Sequence, residues 1–251
     1  IECFCWSVMP ALKTPMINAG MVFTDRHVGG INYPKGGVGI IAEKLVKGLE
    51  KLGSKIRYKA NVQEILINNN HAIGVKLING EELFAKTIIS NSTRWDTFGL
   101  NNVKKGLVKQ EFVSKKEYLW SKNYKPSPSF VSIHIGVDKD IINQNFNCHH
   151  IIVDKWDELE DEKGVIFISI PTLLDKDLAP EGKHIVHAFT PSSINEWENL
   201  SRREYLKKKE DYFDFIINKI SKIIPEIKDS IDHKEIGTPK THKKFLGRFE
   251  G

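Results

Sequence analysis

Residues 33–45, with the sequence YPKGGVGIIAEKL, pose the first question about the fold of this chain. The six residues from Gly37 to Ala42 match G-x-G-x-x-A, the turn that holds the pyrophosphate of a dinucleotide. An apolar stripe follows at helical spacing, formed by Ile41, Leu45, Leu49 and Leu52. The sequence therefore predicts a helix over residues 38–52, which Gly53 terminates.

A dinucleotide fold needs more than these glycines, because a buried strand must run directly into the first of them. The residues before Gly36 are GGINYPK, which contain no apolar run, and Pro34 lacks the N–H that a central strand donates. About 20 residues further on, where such a fold carries an acidic residue, the sequence is YKANV. We therefore expect a tight turn that starts the helix, in which glycine permits a positive φ, rather than a pyrophosphate site.

Four strand-like segments follow this helix: KIRYKA, NVQEILI, AIGVKLI and ELFAKTIISN. Three asparagines at 68–70 and the pair Asn79-Gly80 separate the middle segments, and Asn-Gly is the strongest short hairpin signal. The last segment contains TIIS at 87–90, whose adjacent apolar residues are typical of a buried parallel strand. The pattern predicts a small β-meander inserted between two strands of an α/β sheet.

Residues 92–128 are polar and rich in lysine, and we expect helix and loop that lead to a second region. That region contains the strand-like segments FVSIHIGV, CHHIIV, VIFISI and HIVHAFT. Alternate residues from Val131 to Val137 are apolar and share one face, while Ser132 and His134 share the other. The sequence predicts an antiparallel sheet with one face on a core and the other face lining a site.

Two helices are predicted after these strands, and each begins with a capping-box pattern. Ser193 with Glu196 starts a short helix, and Ser201 with Glu204 starts a long one that Pro225 stops. The basic residues of the long helix are interpreted as a solvated face rather than a patch for lipid or nucleic acid.

The composition is that of a soluble globular protein and excludes several classes of function. Of 251 residues, 40% are hydrophobic and 27% charged, and the net charge is +5. The sequence lacks the dense basic patch with interleaved aromatic residues that is typical of nucleic-acid-binding proteins. Weak attraction to an anionic membrane surface is compatible with the net charge. The longest apolar run, Val165 to Ile170, is too short to span a bilayer. Cys3, Cys5 and Cys148 have neither the number nor the spacing of a disulfide framework or a metal site.

Several longer motifs resemble the carotenoid isomerases, a family related to phytoene desaturases and retinol saturase. They are IECFCWSV, TPMINAGMVF, GGINYPKGGVG, IISNSTRWDTFG, SIHIGV and IGTPKTH, and together they extend over essentially the whole chain. The resemblance implies an α+β chain with an α/β part, the middle of a two-domain, FAD-dependent fold like that of the amine oxidases. The family's own GxGxxG and its second FAD motif do not occur here, so we expect an internal fragment of a longer protein.

The resemblance also divides the chain. Residues 1–35 are expected to be a segment of the substrate domain, and residues 36–91 a segment of the FAD-binding domain with helix, strands and β-meander. Residues 92–235 are expected to form the antiparallel sheet and helices of the substrate domain. Residues 236–251 are expected to begin the return to the FAD-binding domain.

The function that the resemblance implies is cis-to-trans isomerisation of a poly-cis carotenoid with reduced FAD, without net redox change. The carotenoid is apolar and comes from a membrane, so peripheral binding to a plastid membrane, or to a cyanobacterial thylakoid or cytoplasmic membrane, is implied. Two alternatives stay open at this point. One is a redox-active polyene desaturase or retinol-saturase-like oxidoreductase, and the other is a non-catalytic fragment that binds an apolar ligand or a partner.

The resemblance places one group of residues near the flavin: Tyr33, Lys35, Gly36, Gly37, Val62, Ser90 and Asn91. Val62 matches a position whose backbone contacts the FAD adenine in related flavoproteins, and its alternative role is a core valine. Ser90 and Asn91 end the predicted buried strand, where ligands collect in open α/β sheets, although Asn91 equally suits a turn. Tyr33 and Lys35 either line the flavin or polyene pocket or belong to a plain turn.

A second group is predicted to line the substrate site: His27, Ser132, His134 and His187. If the second sheet floors a tunnel, the side chains of its free face contact the polyene. The alternative is a solvated His27 and hydrogen-bonded sheet histidines. No residue pattern identifies a catalytic group or an electron donor. For Arg94, Trp95 and Asp96 we expect an ion pair with tryptophan packing rather than substrate contact.

Overall fold

The computed structural model describes residues 16–17, 20, 32–100, 104–123, 126–143, 145–159 and 161–251. The chain forms two compact units. The first unit consists of two segments, the chain up to Gly48 and Ser127–Thr241. The second unit consists of Leu49–Pro126 and His242–Gly251. No helix in the described ranges is both long enough and apolar enough to cross a bilayer.

Helix α1 spans Gly39–Lys51 and confirms the helix predicted over 38–52. It ends as predicted, because Gly53 has a φ of 81° and its N–H donates to the carbonyl of Glu50 at 2.9 Å. No residue of the helix is buried. Its apolar stripe is exposed, with Leu45 at 63% and Leu52 at 83%.

The second unit contains a three-stranded antiparallel sheet of β1 (Val62–Asn68), β2 (His71–Leu77) and β3 (Glu82–Phe84). Both hairpin turns use residues that tolerate the left-handed region. Asn69 and Asn70 have φ of 46° and 61°, and Gly80 has a φ of 88°. The predicted β-meander is confirmed.

Two strand predictions next to this meander are wrong. Neither KIRYKA at 55–60 nor TIIS at 87–90 forms a strand, and Ile89 is 90% exposed instead of buried. A strand needs a neighbour to receive its N–H and carbonyl groups, and the described residues supply no neighbour to either segment. Lys59, with a φ of 55°, also interrupts the extended conformation of the first one.

Residues 92–128 contain helix and loop, as predicted, with α2 at Arg94–Phe98 and α3 at Lys115–Asn123. They lead to the five-stranded sheet of the first unit, in the order β5-β6-β7-β4-β8 with antiparallel pairing throughout. Its strands are β4 (Ser129–Asp138), β5 (His149–Val153), β6 (Val165–Ser169), β7 (Lys183–Ser192) and β8 (Ile231–Gly237). The four predicted strands are confirmed. The edge strand β8 was not predicted because its sequence, IDHKEIG, is polar along most of its length.

The core lies between one face of this sheet and helix α5 (Arg202–Ile220). Val131, Ile133 and Ile135 of β4 are at most 1% exposed. Five residues of α5 are buried in the same cluster: Tyr212, Phe213, Ile216, Ile217 and Ile220. Each side chain of this size contributes about 1.5–3 kcal/mol when it is fully buried, so this contact contributes strongly to the stability of the unit.

One of the two predicted capping boxes forms. The hydroxyl of Ser201 accepts from the Glu204 N–H at 3.3 Å, and the Glu204 carboxylate accepts from the Ser201 N–H at 2.8 Å. The short helix α4 spans Asn195–Glu198 and begins after Ile194, which is already helical, so Ser193 is not at its N-cap. The capping box predicted for Ser193 and Glu196 is therefore wrong, although the helix itself exists. The remaining helix, α6, spans Pro239–Leu246.

Replacing Ser201 with alanine should lower the free energy of unfolding by about 1 kcal/mol, because the Glu204 N–H at the start of α5 loses its acceptor. Equilibrium unfolding in urea measures the change. Ser54→Ala is the control, since Ser54 is exposed and its hydroxyl makes no hydrogen bond among the described residues. Equal losses in the two variants would contradict this assignment of the cap.

Candidate functional site

The candidate site lies on the face of the five-stranded sheet that is opposite the core. Ser132 and His134 of β4 alternate with the buried valine and isoleucines, as predicted. In the β4–β7 ladder His134 lies directly opposite His187, and Ser132 lies directly opposite Phe189. Since opposite residues of an antiparallel pair share a face, these four side chains form one surface.

A cavity of about 490 Å³ opens on this surface. The sheet contributes its floor, and the loop before β7 contributes a wall. Most of the lining surface is apolar, and charged groups contribute the rest. The lining residues are His134, Ile135, Gly136, Leu178, Ala179, Pro180, Glu181, Lys183, His184, Ile185, His187, Asp232 and His233. The structure thus brings two of the predicted substrate-lining residues, His134 and His187, into one cavity, while Ser132 lies two residues along the same face.

The two histidines form an edge-to-face pair, with ring centroids 4.4 Å apart and planes at 72°. Burial, together with the nearby imidazole of His134, lowers the pKa of His187 to about 4. Burial also lowers the pKa of His134, and the carboxylate of Glu235 opposes this shift. His187 is therefore uncharged at neutral pH, and the cavity floor presents aromatic rings rather than positive charge.

An ionic cluster closes one end of the surface. Lys183 Nζ lies 2.7 Å from Asp138 Oδ1 and 2.6 Å from Asp232 Oδ2, and its hydrogen bonds to both carboxylates raise its pKa. Gly136 makes this arrangement possible, because a Cβ at that position would lie 2.8 Å from Asp232 Oδ1. The positive charge of Lys183 is thus neutralised at the edge of the cavity.

Aromatic rings occupy the opposite end of the same surface. The ring centroid of Phe189 lies 5.4 Å from that of Phe130 and 5.1 Å from that of Phe167. His149 continues the row, 5.4 Å from Phe167. Along the surface, the ionic cluster is followed by the uncharged imidazole pair and then by the row of aromatic rings. The imidazole and aromatic parts together suit an elongated apolar ligand.

The glycine turn braces the loop that forms the cavity wall. The Gly36 N–H donates to Asp175 Oδ2 at 2.7 Å, and the other oxygen of that carboxylate accepts from the Asp177 N–H at 3.2 Å. A Cβ at Gly37 would lie 3.1 Å from a methyl group of Leu178, which lines the cavity. Both glycines have positive φ, 88° and 82°, which confirms the predicted tight turn. Lys35 Nζ lies 4.0 Å from Asp177.

The other sequence-predicted residues are placed elsewhere. The Tyr33 hydroxyl lies 3.8 Å from the Cβ position of Gly37. Val62 begins β1 opposite Leu77 in the second unit. Ser90 and Asn91 also belong to the second unit; the Ser90 hydroxyl lies 3.0 Å from that of Thr97, and the Asn91 carbonyl accepts from Arg248 at 2.9 Å. His27 lies outside the described residues.

Arg94, Trp95 and Asp96 form the packing that the sequence predicts. The guanidinium of Arg94 pairs with Glu117 and lies 4.1 Å from the ring of Trp120. Trp95 packs against that ring at 5.2 Å between centroids. The Asp96 carboxylate accepts a backbone N–H near the end of the chain at 3.1 Å. This cluster ties α2 to neighbouring segments of the second unit.

Sequence reasoning did not identify Asp175, Lys183 or Asp232 as parts of the site. Asp175 contacts Gly36 across 139 residues of sequence, and Lys183 joins carboxylates from two other segments. Neither contact leaves a periodic signal. Only Asp175, in the sequence LLDKDL, carried a local cue, since aspartate is common where a turn begins.

The whole chain is similar to proteins named prolycopene isomerase. It is 54% identical over 252 aligned residues to "Prolycopene isomerase, chloroplastic" of Daucus carota, which covers all of this chain and 40% of that protein. It is 52% identical to the Arabidopsis thaliana protein of the same name and spans 41% of it. A distant relative, the Danio rerio "All-trans-retinol 13,14-reductase", is 24% identical over 92% of the chain. The chain thus spans about two fifths of the length of these relatives.

Solved structures share the fold. An oxidoreductase from Methanosarcina mazei matches 94% of the chain with a TM-score of 0.64 at 17% sequence identity. A reduced UDP-galactopyranose mutase matches 82% of the chain with a TM-score of 0.52 at 16% identity. These matches agree with the amine-oxidase-like α+β fold that the sequence predicts. No protein-family model matches the chain.

Stability should fall as the pH is lowered from 6.5 towards 4, because unfolding exposes His187, which then binds a proton that the folded cavity excludes. The free energy of unfolding, measured in urea near pH 7 and near pH 5, should therefore be smaller at the lower pH. His187→Gln should reduce this pH dependence.

Asn218→Gln provides the control, since Asn218 is an exposed residue of α5 that carries no ionisable group and does not line the cavity. It should leave the pH dependence unchanged. An unchanged pH dependence in His187→Gln would contradict the protonation state inferred for the cavity.

Asp175→Ala should loosen the cavity wall, because the carboxylate joins the glycine turn to the residues before Leu178. Hydrogen–deuterium exchange of a peptide covering residues 175–181 should be faster in this variant. Asp177→Ala is the matched control, as its exposed carboxylate only reaches Lys35 at 4.0 Å. The assignment is wrong if both variants exchange at the same rate as the unmodified chain.

Proposed function

We propose that this chain belongs to the carotenoid isomerase family and that the whole protein converts poly-cis lycopene to the all-trans form. The observation that carries the proposal is the identity of 52–54%, which extends over every part of the chain. The aligned region includes both strands of the histidine pair, so the candidate cavity lies within the shared sequence. Carotenoid biosynthesis in a plastid follows from the same relatives, which are named chloroplastic.

The role that we propose for this chain is to hold the polyene. The lining of Leu178, Pro180 and Ile185 supplies apolar contact, and the paired rings of His134 and His187 supply flat aromatic surface. An uncharged floor matters because a buried charge would attract water into the path of a hydrocarbon. Removal of the apolar chain from water supplies the binding energy. The row of phenylalanines offers a continuation of the same surface for an extended ligand.

Reduced FAD is the cofactor that the resemblance implies for the whole protein, and the glycine turn of Gly36 and Gly37 does not fit its pyrophosphate. The Gly36 N–H is engaged by the carboxylate of Asp175, and Asp177 is close by. Two acidic groups beside the turn would repel a diphosphate. We therefore assign no step of the reaction to residues 33–37. Their proposed role is to position the cavity wall.

A redox reaction is the second candidate function, because a distant relative is named for a reductase. A polyene desaturase or a retinol-saturase-like enzyme would also need a largely apolar cavity. The two functions differ in their products. An isomerase preserves the number of double bonds, whereas a desaturase or saturase changes it.

The natural protein that carries this chain, supplied with reduced FAD and poly-cis lycopene, should form all-trans lycopene of unchanged mass. Chromatography with mass detection measures both properties. A mass change of two hydrogens would favour the redox function. Absence of any conversion would contradict the isomerase function.

Variants of His187 test the part assigned to this chain. His187→Phe keeps an aromatic ring and should retain most of the activity, whereas His187→Asp places a charge in the cavity and should lower kcat/KM by about tenfold or more. Loss of activity in His187→Phe would show that the imidazole transfers a proton and would contradict the passive role.

A further inference from the structure

A second cavity of about 420 Å³ adjoins the first and differs from it in chemistry. Pro180, Glu181, Lys183 and His184 line both cavities, and Gly182 lines only the second one. The second cavity adds Lys139, Lys176 and Thr172 to this shared wall. Its lining therefore carries hydrogen-bond donors and positive charge that an apolar ligand does not use.

The base of this cavity is a buried and ordered pair of polar side chains. Thr172 is 1% exposed and His184 is 8% exposed, and Thr172 Oγ1 lies 2.7 Å from His184 Nδ1. The backbone N–H of Ile185 donates to the same hydroxyl oxygen at 3.2 Å. The tautomer of His184 sets which atom of the Thr172–His184 pair donates, and in either tautomer the pair is hydrogen-bonded. Within the described ranges no hydrogen bond engages Nε2.

The two lysines that line only this cavity make no ion pair within the described ranges. Neither Lys139 nor Lys176 lies within 4.0 Å of a carboxylate among the described residues, whereas Lys183 pairs with two. Burial, and then the charges of Lys139 and Lys176, lower the pKa of His184. Glu181 is an acidic neighbour, and it is exposed.

We propose that this second cavity binds a phosphate-bearing anion. The ammonium groups of Lys139 and Lys176 supply donors for phosphate oxygens, above a polar base formed by Thr172 and His184. This base is buried and hydrogen-bonded before the anion arrives, so it needs little ordering on binding. The volume accommodates a phosphate with an attached group, as in a phospholipid headgroup, as well as inorganic phosphate.

Two probes test the site on the 251-residue chain and distinguish the source of the anion. Inorganic phosphate is titrated by calorimetry, and vesicles of phosphatidylglycerol are compared with vesicles of phosphatidylcholine by co-sedimentation. At least one anionic probe should bind, and Lys139→Ala/Lys176→Ala should weaken its binding by about tenfold or more. Binding of the vesicles alone identifies a lipid headgroup, and binding of free phosphate identifies a soluble ligand. The NMR signals of the His184 imidazole should also shift when the probe binds.

Lys44→Ala/Lys47→Ala is the matched control, because it removes the same charge from exposed positions of α1. It should leave the binding of the anionic probe unchanged. The site is refuted if neither anionic probe binds or if the two double variants weaken binding equally. It is also refuted if the His184 signals do not move. The activity of the whole protein does not enter these measurements, so the proposed isomerase function and this site fail independently.

Discussion

The pairing of β4 with β7 is the constraint on which the rest of the first unit depends. Their register places His134 opposite His187 and, one residue along, Ile133 opposite Ala188. Because side chains alternate between faces, this single register creates both the core beneath the sheet and the cavity above it. Helix α5 covers the first face, and the loop before β7 overhangs the second.

Local patterns predict much of this fold. Alternation identifies β4, helical spacing identifies α1 and α5, and asparagine and glycine identify the turns of the meander. Alternation alone also assigns Ser132 and His134 to the free face of the sheet. What alternation does not report is whether a strand has a neighbour. KIRYKA and TIIS have the composition of strands, yet the described residues give them no partner, and the polar edge strand β8 pairs although its sequence suggests a loop.

The contacts that shape the cavity are mostly distant in sequence, and this limits what a sequence can predict about the site. The cavity wall depends on Asp175, which accepts a hydrogen bond from a backbone N–H. Every residue except proline has such an N–H, so glycine is required at position 36 only for its positive φ. The G-x-G-x-x-A match in the same turn also arises because the backbone conformation of the turn requires glycine. Glycines are needed there for positive φ and for close approach to Leu178, and a dinucleotide loop needs glycines for similar reasons. The same glycine pattern therefore occurs in two unrelated structures, a tight turn and a dinucleotide-binding loop. Only a buried strand directly before the glycines distinguishes the second from the first.

The β4–β7 ladder also has a consequence for how this sequence can vary. A one-residue insertion or deletion within either strand would exchange the two faces, carrying imidazole into the hydrocarbon core and isoleucine into the cavity. The β1–β2 pairing already accommodates two register irregularities, and its exposed asparagine turn has room for more. Changes in length along the chain should therefore accumulate in the meander, while the ten-residue strands β4 and β7 keep a constant length.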